Sequence, residues 1–134
     1  MATVVTKTTR KYKDLDLSFI AHPIKKDVNK LVDDMAVINS VKNILSTAHY
    51  EKPFQPEIGS NIRKLLFENM DIITATTLKR EITQTLDNFE PRVKIMAIQV
   101  DPDYDNNSYS VTMSFSIINR TEPVTIQFFL QRDR

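Results

Sequence analysis

Two hydrophobic periods divide the chain. From Asp34 onward, Val37, Val41, Ile44, Leu45 and Ala48 fall at i, i+4, i+7, i+8 and i+11. That spacing places them on one face of a helix of about 14 residues, with Asp34 as its N-cap. Ser60 is the next candidate cap, and Ile62, Leu65, Leu66 and Met70 mark a short second helix. A third follows Asp71, with Thr74 as its cap. Its apolar residues Leu78, Ile82 and Leu86 recur every four positions, and Phe89 lies close by. Pro91 ends it, because the residue before a proline is pushed out of the helical region.

After Pro91 the period becomes two. Val93, Ile95 and Ala97 alternate with Lys94, Met96 and Ile98. "DPDYDNNS", residues 101–108, reads as a turn or longer hairpin loop. Tyr109, Val111, Met113, Phe115 and Ile117 then alternate with Ser110, Thr112, Ser114 and Ser116, giving a strand with one apolar and one polar face. "NRTEP" turns the chain. Val124, Ile126, Phe128 and Leu130 alternate with Thr125, Gln127 and Gln131. The order of elements predicts an α+β fold: about three N-terminal helices followed by a small antiparallel three-stranded sheet with an open edge. Such an edge invites strand addition by a partner, unless an arm or helix of the same chain covers it. Charged ends (Arg132, Asp133, Arg134) are its main protection.

The flanks are less patterned. Residues 1–14 form a basic arm, with Lys7, Arg10, Lys11 and Lys13 and little apolar period. It either touches an acidic partner or is a solvated tail. Leu15, Leu17 and Phe19 alternate as a short extended piece that Pro23 interrupts. Between the first two helices, "YEKPFQPEIGS" is a turn-rich loop stiffened by Pro53 and Pro56. The domain reading is an arm at 1–14 and a single domain at 15–134, since 134 residues suit one modest core.

Composition narrows the chemistry. With 41% hydrophobic and 26% charged residues, the chain is expected to fold. A net charge of +1 gives no reason to expect nucleic acid. There are no cysteines, so disulfides, thiolate metal sites and thiol nucleophiles are excluded. No apolar run reaches a membrane span, and the first residues hold no secretion-type apolar core; the expectation is synthesis and folding in a cytoplasm. Gly59 is the only glycine, where about 7% is usual. Gly-rich phosphate loops are therefore absent. The scarcity counts against a loop-built active site, or else reflects drift in an AT-rich genome.

Candidate catalytic chemistry is thin. His22 and His49 stand in no metal-ligand spacing, and no metal or cofactor is expected. A glycoside hydrolase needs a raised-pKa acid and a second carboxylate. Glu57, Glu68 and Glu90 are candidate acids, with Asp71 or Asp101 as partner, but 17 acidic residues make such pairings easy to find. The sequons at Asn106 and Asn119 carry weight only for a secreted protein. The remaining feature is Glu90-Pro91-Arg92. Proline fixes φ near −65°, so the flanking carboxylate and guanidinium can be held in a set relation where helix meets strand. They either pair and lock the helix-to-sheet angle or form a solvated stop signal.

Three stretches in order, Pro53-Phe54-Gln55-Pro56-Glu57-Ile58-Gly59, Leu65-Leu66-Phe67-Glu68-Asn69 and Asn88-Phe89-Glu90-Pro91-Arg92, resemble the small baseplate wedge family of contractile-tailed bacteriophages. This is the sheath-initiator family, with relatives in type VI secretion baseplates. The resemblance covers roughly residues 26–132; the arm has no counterpart in it. It implies a non-enzymatic virion protein, assembled in the host bacterial cytoplasm and present in six copies around the tail tube. Its helices would join other wedge subunits in a bundle. Its sheet would take strands from the first ring of tail sheath protein, and the tail tube is a further candidate partner. Glu90, Pro91 and Arg92 carry over as interface residues, and Val124, Ile126, Phe128 and Leu130 as the strand-accepting sheet. Neither membrane nor nucleic acid is implied. Family members have also carried a lysozyme-like label, which gives the alternative of a baseplate-associated peptidoglycan hydrolase.

Overall fold

The structure, a computed structural model, describes residues 12–16, 18–118 and 120–132. Its elements run β1 (Lys13–Leu15), β2 (Lys30–Val32), α1 (Asp34–Ser46), α2 (Ile62–Leu65), α3 (Ile72–Phe89), β3 (Val93–Asp103), β4 (Ser108–Ile117) and β5 (Pro123–Gln131). The α+β expectation holds: three helices precede an antiparallel meander of order β3-β4-β5. Residues 1–11 of the arm, Leu17, Asn119, Asp133 and Arg134 lie outside the described residues.

Ahead of the helices lies a hairpin that the apolar pattern does not predict. β1 and β2 pair antiparallel, with Lys13 opposite Val32 and Leu15 opposite Lys30. An Ala21–Val28 bridge extends the ladder towards the turn. Both strands are three residues long and mostly exposed, so burial leaves no period-two signature in them.

The helices form where the apolar stripes predict, but their caps differ. α1 buries Ala36, Val37, Val41 and Leu45. Its N-cap is Asp33, not Asp34, and that side chain caps nothing. The Asp33 amide donates to the Tyr12 carbonyl at 2.8 Å, which pins the residue at φ 56°. The carboxylates of Asp33 and Asp34 face Arg120 instead, at 3.7 and 3.1 Å. Ser60 is no cap either. Its hydroxyl donates to the Leu45 carbonyl at 3.0 Å, satisfying a buried carbonyl at the end of α1, and Asn61 precedes the short α2. For α3 the cap is Asp71, whose carboxylate accepts from the Thr74 amide at 2.7 Å. Thr74 sits inside the first turn and its hydroxyl reaches back to the Asn69 carbonyl.

The core lies between the helices and one face of the sheet. Leu78, Ile82 and Leu86 of α3 meet Val111, Met113 and Phe115 of the central strand β4, all fully buried. β3 departs from simple alternation. A bulge at Met96 shifts the register between Ile95 and Ala97, so Val93 and Ile98 are buried while Met96 and Ala97 are exposed. β3 also continues through Asp103, beyond the expected loop start, with Pro102 opposite Tyr109. An edge strand tolerates that proline because its missing N–H can lie on the unpaired side.

Candidate interface at the helix-to-sheet junction and the open edge

α3 ends at Phe89 because Pro91 offers no amide to continue the ladder. The Glu90 amide still reaches back to Leu86, while its carbonyl accepts from Val93 at 3.1 Å. The Arg92 carbonyl accepts from the Ile118 amide at 2.9 Å, directly ahead of the β3–β4 ladder. The two side chains close across the proline. Arg92 Nε donates to Glu90 Oε1 and Nη2 to Oε2 at 2.7 Å, a bidentate fork. Ser40 Oγ on α1 donates to the same Oε2. Tyr12, just ahead of β1, lies under the guanidinium at 5.2 Å. One carboxylate, 2% exposed, thus ties together α1, α3 and the start of β3, with the hairpin stacked on its partner.

The electrostatics follow from that burial. Desolvation pushes the Glu90 carboxyl up; the Arg92 and Ser40 hydrogen bonds and the Arg92 charge outweigh it and hold the pKa below the ordinary glutamate value. Arg92 is stabilised as the cation, first by its hydrogen bonds to Glu90. The pair is a fixed, ionised strut and not a solvated stop signal.

Val124, Ile126, Phe128 and Leu130 of β5 are half-buried against the core, and Thr125, Gln127, Phe129 and Gln131 face outward. Among the described residues no strand pairs with the outer margin of β5 or of β3. The two margins differ. β3 carries Lys94, Asp101, Pro102, Asp103 and the bulge. β5 carries no charge and pairs with β4 in unbroken register. Charges, proline and bulges are what block edge-to-edge pairing; β5 has only a proline at its first residue, Pro123, so it is the less guarded side.

The candidate acids are not assembled into a catalytic pair. Glu57 lines one shallow cavity with His49 and Lys64, and Asp101 another with Lys79; neither shares its cavity with a second carboxylate. Asp71 is committed to its cap, and the Thr74 amide bond holds its pKa down. Asp101 accepts from Gln99. Glu68, past the end of α2, is exposed. His22 Nδ1 accepts from the Ile24 and Lys25 amides, and His49 Nδ1 pairs with the Glu57 carbonyl. Among the described residues no three acidic or histidine side chains converge as metal ligands. Sequence reasoning finds Glu90 and Arg92 but misses Ser40 and Tyr12. The only trace of Ser40 is a polar residue beside the apolar stripe of α1, between Asn39 and Val41.

Comparison with known proteins decides the family. The model of the family "Baseplate wedge protein gp25" matches residues 32–122, most of the chain. The chain belongs to the gp25 baseplate wedge family. It is a component of a contractile phage-tail baseplate, where it assembles with other baseplate proteins. The gp25 wedge protein of Enterobacteria phage T4 is 35% identical over 99 residues, 74% of this chain and 75% of that protein. The gp25-type fold recurs in a Geobacter sulfurreducens protein described only provisionally as a tail lysozyme. That structure has a TM-score of 0.67 and 17% identity, covering 73% of this chain and 89% of the other. A chain in the baseplate of the anti-feeding prophage superposes with a TM-score of 0.63 and 14% identity, covering 92% of this chain and 88% of the other. The gp25 family match takes in all three sequence stretches and the Glu90–Arg92 junction, and stops before β5.

Proposed function

We propose that this wedge protein starts sheath assembly: β5 accepts a strand of the tail sheath protein, and the Glu90-Pro91-Arg92 junction sets the angle at which the sheet is offered. The single observation carrying the reading is the contrast between a neutral, regular β5 and a charged, bulged β3. Its setting is the virion baseplate, with six copies around the tail tube assembled in the host cytoplasm. The helices face neighbouring wedge subunits, the arm at 1–14 is a separate contact, and residues 15–134 act as one domain. The role is non-enzymatic. Glycoside hydrolysis needs an acid held protonated, and Glu90, the one fully buried candidate, is held ionised.

Magnitudes explain why assembly is collective. Nine residues of β5 offer about four outward-facing positions, hence about eight main-chain bonds at ~0.5–1.5 kcal/mol each. Ordering about eight incoming residues costs ~1–2 kcal/mol apiece. Backbone pairing alone therefore falls somewhat short of its ordering cost, and affinity must come from side-chain docking and from repetition around the ring.

Proline substitutions at successive positions of β5 test the reading. In an antiparallel ladder one of Ile126 and Gln127 bonds to β4 and the other points outward. Ile126→Pro and Gln127→Pro therefore separate folding from strand acceptance. The variant that stays folded is expected to give complete baseplates that grow no sheath. Normal sheath growth from baseplates carrying that folded variant contradicts strand acceptance.

A further inference from the structure

A groove of about 400 Å³ runs between the C-terminal end of β5 and the segment containing α2. Leu45, Ile62, Leu66 and Leu130 make its apolar wall, and Phe67 and Phe129 stand on its rim, 55% and 65% exposed. Aromatic side chains left open beside an apolar trough mark an interaction surface. The groove is also one-signed. Arg63 and Arg132 line it, and among the described residues no carboxylate does. Arg132 lies over the Phe67 ring at 5.0 Å, which holds the guanidinium at the rim with its donors available. Among the described residues neither arginine pairs with a carboxylate.

We propose that this groove anchors the extended segment that adds to β5, receiving from it one large apolar side chain with an Asp or Glu carboxylate close by in sequence. The inference rests on strand acceptance by β5, and two observations point to this occupant. The groove is continuous with the β5 end, since Phe129, Leu130, Gln131 and Arg132 line it. A segment running along the strand therefore enters it without a turn. The two arginines, which pair with no carboxylate among the described residues, then select an anionic flank. The apolar side chain supplies affinity that backbone pairing alone lacks, and the carboxylate fixes the register of the incoming strand.

The test is binding of the full-length chain to the purified tail sheath subunit, at low and at high salt. Arg63 and Arg132 are exposed, so a variant combining Arg63→Glu and Arg132→Glu is expected to keep the wild-type melting temperature. It should weaken binding at low salt about tenfold, and should lose the wild-type decline of affinity with salt. Phe129→Ala should weaken binding about fivefold at both salt levels. The folded β5 proline variant serves as the reference. If it abolishes binding while the arginine and phenylalanine variants bind within about twofold of wild type, the groove proposal falls and strand acceptance stands. If groove variants abolish binding and the proline variant binds normally, the groove is no strand anchor and both readings fail as stated. If the arginine variant changes only this chain's self-association, the occupant is a second copy and the proposal is overturned.

Discussion

Gly59 sits at φ +145°, and a Cβ built there meets the carbonyl carbon and oxygen of Ala48 at 2.7 Å. Those are backbone atoms that cannot swing aside. The stretch after Pro56 closes back onto the end of α1, where the Ser60 amide and hydroxyl take the Thr47 and Leu45 carbonyls. The one glycine of the chain therefore serves a close backbone approach, which composition alone cannot distinguish from drift. Gly59→Ala is expected to cost at least about 2 kcal/mol, from positive-φ strain plus the clash. Denaturant midpoints measure it, and a loss below about 0.5 kcal/mol contradicts this role. Glu90 makes the second residue-scale prediction. Its folded pKa is depressed, so its stabilisation is complete above the ordinary glutamate range and is lost as pH falls through the lower folded value. Glu90→Gln should cost about 2–3 kcal/mol at neutral pH, less than a fully buried pair because Arg92 is one-third exposed. The gap between wild type and variant should narrow as pH drops below the carboxylate range. A gap independent of pH across that window would show that the charge is not what Glu90 contributes.

Among the elements, those with long apolar repeats were legible and those with short or exposed ones were not. α1 and α3 announce themselves because Val37, Val41 and Leu45, and Leu78, Ile82 and Leu86, recur on one face. The caps of α1 and α2 differ from the expected ones because cap choice there is tertiary: Asp33 and Asp34 are drawn to Arg120, and Ser60 to Leu45. The hairpin β1–β2 buries too little to show a period. β3 reads as a strand, yet its phase flips at the Met96 bulge, which places Ile98 inside and Ala97 outside. In the candidate site, Glu90 and Arg92 were legible as local spacing across a proline, whereas Ser40 approaches from 50 residues away. The β5 proline pair belongs to this scale. The substitution that removes a bond to β4 should cost about 3 kcal/mol or more, and the outward-facing one much less. Equal losses at Ile126 and Gln127 would mean that both amides are already used within the chain.

At the scale of the molecule, α1, α3 and the sheet meet at a single ionised strut on which Tyr12, just ahead of the hairpin, is stacked, and the sheet ends on a lightly guarded strand. Such an arrangement suits a part that presents an edge at a defined angle. The same geometry repeated around a ring would turn weak strand pairing into cooperative growth. The most direct measurement is a cryo-electron-microscopy map of the baseplate with the first sheath ring attached. A sheath backbone running alongside Val124–Leu130, in main-chain hydrogen-bonding distance of β5, is the predicted result. A map with that margin filled from within this chain, or with sheath contacting only other wedge subunits, would contradict the account.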